Sequence, residues 1–148
     1  MEHPIAATVA LRQRLGRALA AGAAASRTWR VLLCLLIVGV SYLALTPKPP
    51  TGIDTGWDKL NHTLAFAALA ISAWLAYPAS HRTRLLWLGA LLAFGGLIEI
   101  LQLFVPGRSA ESGDLLADAL GIACGAAIAA GARVWRRRST ARTDAWHG

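Results

Sequence analysis

The sequence predicts an all-α fold, an integral membrane bundle of four transmembrane helices with both termini cytoplasmic. Three observations predict it. The 148 residues are 55% hydrophobic and only 16% charged, against about 25% charged in a typical soluble domain. Four long apolar stretches alternate with short segments rich in Pro, Gly or charge, the layout of consecutive spans. The basic residues, finally, gather around those stretches and not within them. A net charge of +7 would suit nucleic acid, but this placement suits a bilayer, so no nucleic-acid partner is expected.

Taken in order, residues 1–27 form an Ala- and Arg-rich basic arm, read as a loose or surface-lying helix in the cytoplasm. TWRVLLCLLIVGVSYLAL, from Thr28 to Leu45, is the first span, since a bilayer core takes ~20 residues at about 1.5 Å each. Ala44-Leu45-Thr46 followed by Pro47 is a poor cleavage site, so this segment is expected to stay attached rather than act as a signal peptide. TPKPPTGIDTGW, from Thr46 to Trp57, is an extended loop. Asp58 is suited to cap the second helix, which runs to about Tyr77. Pro78 to Thr83 makes a short basic turn. A third helix runs from about Arg84 to Phe104, and Pro106-Gly107 breaks it. The fourth, capped by Ser112 or Asp114, runs to about Trp135, leaving 136–148 as a basic cytoplasmic tail. The membrane domain is therefore 28–135.

Charge sets the orientation. With four crossings, the termini and the turn at 78–84 share one side and hold twelve of the fifteen Lys and Arg residues, leaving Lys48, Lys59 and Arg108 on the other. The positive-inside rule places the richer side in the cytoplasm. Trp29, Trp74, Tyr77, Trp87 and Trp135 then mark the inner interface, with Trp57 and Phe104 at the outer one. Cys34 and Cys124 lie within apolar segments and read as buried packing residues, not as a disulfide.

Seven polar residues, Asp58, His62, Glu99, Gln102, Arg108, Asp114 and Asp118, converge on the outer ends of helices two, three and four. Asp58 and His62 share a helix face, as do Glu99 and Gln102, and Asp114 and Asp118. Caps explain Asp58 and Asp114, but Glu99 and Asp118 lie inside their helices, where an acid costs up to about 2.5–3.5 kcal/mol and needs a partner or a function. One reading is purely structural, pairing Arg108 with Asp114 or Glu111, His62 with Glu99, and Gln102 across helices. The other is an outward-facing site, with His62 and Glu99 as the candidate catalytic acid-base pair and Arg108 as a phosphate contact. His62 and the acids could hold a divalent ion, but their spacing matches no strong motif, so no metal and no cofactor is expected. Ala117, Gly121, Gly125 and Ala129 form a small-residue stripe expected to pack on helix three at Gly95 and Gly96, pressing Asp118 towards Glu99.

The ordered set D-K-x-x-H (Asp58, Lys59, His62), E-x-x-Q (Glu99, Gln102), P-G-R (Pro106 to Arg108) and D-x-x-x-D-x-x-G-x-x-x-G (Asp114 to Gly125) resembles the VanZ-like membrane family over about residues 31 to 130. One departure is Asp118, where such proteins usually carry Asn. The resemblance implies a multi-pass protein of the bacterial cytoplasmic (inner) membrane, in a family named for a member linked to teicoplanin (glycopeptide) resistance. Two functional classes follow as expectations. The first is a binding or accessory protein of the cell envelope, whose partners are the bilayer and a lipid-linked or cell-wall component. The second is a small intramembrane enzyme acting on a lipid-linked substrate. No G-x-S-x-G nucleophile motif is present, because Gly107-Arg108-Ser109-Ala110-Glu111 lacks the closing glycine.

Overall fold

The computed structural model describes residues 4–47, 58–77, 80–108 and 110–144. Their regular structure is entirely α-helical: α1 (Pro4–Leu45), α2 (Asp58–Ala76), α3 (His81–Gln102) and α4 (Ser112–Asp144). Most of the proline-rich loop, Trp57 included, and Pro78 of the basic turn lie outside the described residues.

Two boundaries differ from expectation. The basic arm and the first apolar segment form one continuous helix of 42 residues, about 63 Å long at ~1.5 Å per residue. The Ala-rich stretch around residues 18–25 is strongly helix-favouring and carries the helix through. Likewise α4 continues past Trp135 to Asp144, because Arg is itself a good helix former.

Three segments are long and apolar enough to cross a membrane: Ala20–Leu45 with mean hydropathy 2.0, and His81–Gln102 and Ser112–Trp135 with 1.8 each. α2 does not join them, because its first two turns carry Asp58, Lys59, Asn61, His62 and Thr63. It is the inner helix of the bundle. Phe66, Leu69, Ala70, Ser72, Ala73 and Ala76 are all buried, and Phe66, Leu69, Ala70 and Ala73 form one core with Leu33 of α1, Leu91 and Ile98 of α3 and Ile122 of α4. α1, α3 and α4 instead turn large apolar side chains outward, among them Leu35, Val38, Leu86, Ile100, Leu116 and Ile128. An apolar exterior of this extent is what a lipid-facing surface requires. Cys34 and Cys124 are free thiols on this exposed surface and not packing residues of the interior.

The small-residue stripe of α4 packs on α2, not on α3. A side chain at Gly121 would strike the Thr63 carbonyl, and one at Gly125 the Ala67 carbonyl. Ala117 and Ala129 of the same stripe are buried. The facing surface of α2 is built from small residues, so the two backbones come close enough for Thr63 Oγ1 to donate to the Ala117 carbonyl across the interface, at 3.2 Å. On α3, Gly95 meets α4 and Gly96 faces open space.

At one end of the bundle, Tyr77 stacks on Trp87 with centroids 4.7 Å apart, and the Arg30 guanidinium lies 5.2 Å from the Tyr77 ring centre. Arg84 covers Trp74 at 4.9 Å. The opposite end is polar and holds the candidate site.

Candidate functional site

The polar end is where α1 and α3 finish and α2 and α4 begin. Pro106-Gly107 turns the chain there, with Gly107 at φ +80°, a left-handed conformation that favours glycine. α3 closes through the Phe104 N–H on the Leu101 carbonyl and the Val105 N–H on the Gln102 carbonyl.

Asp58 opens α2, and His62 follows one turn later on the same face. Asp114 lies in the first turn of α4, two residues inside it, and is 2% exposed. One turn further, Asp118 is fully buried, and it supplies the partner of His62: Nδ1 and Asp118 Oδ1 are 2.9 Å apart. The expected His62–Glu99 pairing is therefore replaced. Tight α2–α4 packing at Gly121 and Gly125 sets His62 against Asp118, and Gly95 leaves the room that Asp118 Oδ2 occupies. Glu99 Oε2 instead accepts the Glu111 N–H at 3.0 Å, tying α3 to the hairpin.

Gln102 and Arg108 both reach α1. The last carbonyls of a helix lack intrahelical partners, and here they are filled in sequence. Thr46 Oγ1 donates to the Tyr42 carbonyl, Arg108 Nη2 to Leu43 at 2.8 Å, and Gln102 Nε2 to Ala44 at 3.2 Å. Arg108 Nε and Nη2 also donate to the Thr46 carbonyl. The guanidinium thus caps the negative end of the α1 dipole and forms neither of the expected ion pairs, with Asp114 or with Glu111. Gln102 does bond across helices, as expected.

Besides His62–Asp118, the ion pairs at the site among the described residues belong to Lys59, for which no pairing was expected. Its Nζ is 2.8 Å from Glu111 Oε2 and 3.6 Å from Asp114 Oδ1. That hydrogen bond and the ammonium charge hold the exposed Glu111 carboxyl below its usual range. The signal for this pair was present in the sequence, since Lys59 is one of only three basic residues on its side of the expected topology.

Several acceptors at the site are left over. Glu99 Oε1, Gln102 Oε1, Asp114 Oδ1 and Asp118 Oδ2 are buried, with no hydrogen-bond partner among the described residues. Such groups are few in folded proteins, and each calls for an explanation. One ligand-capable atom from each of Asp58, His62 and Asp114 also lies within 4.8 Å of the other two.

Long outward-apolar helices around a buried inner helix whose first two turns are polar, with a histidine–carboxylate cluster at that end, define a helical membrane protein. The chain belongs to the VanZ/LLP1 family, whose model matches residues 26–135. No curated protein and no solved structure matches it.

Proposed function

We propose that this chain is a four-span protein of the bacterial cytoplasmic membrane with both termini in the cytoplasm, and that its polar end is an outward-facing binding site serving the cell envelope. α2 crosses as the fourth span, shielded by its neighbours, and the distribution of Lys and Arg supports the orientation. The observation that carries the binding reading is the set of four buried acceptors at the polar end that have no hydrogen-bond partner among the described residues. A cluster whose only task was to hold helices together would satisfy them internally. They call for donors, and the hydroxyl- and amide-rich head group of a lipid-linked or cell-wall component supplies donors. Recognition therefore runs through acceptors, while Arg108 is committed to α1.

The test is native mass spectrometry of lipids retained by the purified protein. Wild type is expected to carry an envelope lipid that His62→Ala loses, and identical lipid profiles in the two would sink the reading. The family's link to glycopeptide resistance makes teicoplanin susceptibility the first cellular phenotype to measure.

A second reading, an intramembrane enzyme, is favoured by one feature. Asp118 fixes His62 through Nδ1, leaving the other ring nitrogen for proton transfer. Glu99 keeps Oε1 for such a role, its Oε2 being engaged by Glu111. Turnover of lipid-linked precursors by the purified protein, abolished in Glu99→Gln, would establish it.

A further inference from the structure

We propose that Asp58, His62 and Asp114 form a binding site for a divalent first-row transition ion, Zn²⁺ being the type that suits one imidazole and two carboxylates. Three observations meet there. First, a ligand atom from each residue lies within 4.8 Å of the others, so a point between them is about 2.8 Å or less from each, and modest closure reaches the ~2.0–2.2 Å of zinc ligands. Second, Asp114 is 2% exposed and its Oδ1 has no hydrogen-bond partner among the described residues. The nearest cation, Lys59 Nζ, stands at 3.6 Å and is committed to Glu111 at 2.8 Å. Third, Asp118 Oδ1 lies 2.9 Å from His62 Nδ1. A carboxylate there makes Nδ1 the donor, orients the ring and leaves Nε2 with the lone pair a metal needs, which is how metal-binding histidines are ordinarily held.

Electrostatics favours a cation. Five of the eight acidic residues, Asp58, Glu99, Glu111, Asp114 and Asp118, are gathered at this end, where Lys59 bonds Glu111 and Arg108 is turned to the α1 carbonyls. Three protein ligands leave a coordination position open, the arrangement of zinc sites that accept a further oxygen ligand. The ion would therefore present an open position to an oxygen of the bound head group. That use rests on the binding reading above, whereas the ion itself is tested separately.

The experiment uses untagged full-length protein in detergent, stripped with EDTA, in a Cys34→Ser/Cys124→Ser background, because both thiols are exposed and would bind zinc themselves. Calorimetric titration with ZnCl₂ is expected to give one ion per chain. Affinity should fall at least about tenfold in Asp58→Asn, an exposed position whose change spares the core, and about 10- to 100-fold in Asp118→Asn, which removes the charge behind the histidine. Circular dichroism verifies folding of each variant. No saturable binding by the parent, or equal binding by the folded Asp58→Asn variant, would overturn the ion site. His62-dependent lipid retention in that case would leave the binding reading standing, and zinc binding without lipid retention would leave only the ion.

Discussion

At Gly95 of α3 a β-carbon would collide with the Asp118 carboxylate of α4. The glycine's missing side chain is the space in which the buried acid sits, and Asp118 in turn orients His62. Gly95→Ala should therefore destabilise the bundle by about 1–3 kcal/mol, an overpacking cost. Gly96→Ala, facing open space, should be neutral or stabilising by up to about 1 kcal/mol through helix propensity. Melting curves in detergent compare the two, and equal effects would show that Gly95 is not reserved for Asp118.

His62 and Asp118 should respond asymmetrically. His62→Ala strands a fully buried carboxylate, and losing one partner of such a pair costs about 3–5 kcal/mol. Asp118→Asn keeps an acceptor facing Nδ1 and gives up only the charge, for about 1 kcal/mol. Thermal stability of the two variants, with His62→Ala clearly the weaker, is the expected result.

Arg108 is predicted to act on α1, at carbonyls 62 and 65 residues upstream, and not on the neighbouring acids. Arg108→Ala should loosen the last turn of α1 and cost about 1–3 kcal/mol. Arg108→Lys should restore only part of this, since an ammonium can stand in for Nη2 but not for the Nε arm that also holds the Thr46 carbonyl. Hydrogen exchange at residues 42–46 is the direct readout.

The Lys59–Glu111 pair predicts a pH dependence of definite sign. Because the folded Glu111 carboxyl titrates below its unfolded value, its contribution is present above the ordinary glutamate range and is lost as pH falls through the lowered folded value. Glu111→Gln should remove that part of the acid sensitivity, and an unchanged acid-melting profile would show that the pair is too well solvated to matter.

Orientation is tested by single cysteines in a background lacking Cys34 and Cys124. Those at Thr51 and Ser109 should react with an impermeant thiol reagent in intact cells, and those at Thr83 and Thr140 should not. The reverse pattern would falsify the outward placement of the polar end.

What was legible in the sequence was whatever one helix determines by itself. Spacing placed Asp58 with His62 and Asp114 with Asp118 on shared faces, and the stripe at Gly121 and Gly125 marked a close approach. Pairing between helices was not legible, because helical periodicity leaves the rotation of one helix about another undetermined. The stripe fits α2 and α3 equally well as a pattern. Thr63 and Ala67 decide it, since their carbonyls seat directly against the two glycines. Once α4 lies on α2, His62 meets Asp118, and Glu99 is left to the hairpin N–H. The role of Arg108 was hidden for the same reason: nothing local announces that a guanidinium will fill carbonyls at the end of a distant helix.

The side-chain caps on α1 also bear on how the protein is made. Gln102 and Arg108 follow the carbonyls they fill, Ala44 and Leu43, by 58 and 65 residues, so at ~5–20 residues per second of synthesis the first helix waits about 3 to 13 s for its own terminus to be completed. Until then those carbonyls depend on water or head groups, which holds the end of α1 at the membrane surface and keeps it from sinking into the hydrocarbon. Only when α3 and the hairpin arrive can the end be drawn into the assembled bundle. A nascent chain halted after α2 would still lack the latch that ties the end of α1 to α3 and the hairpin.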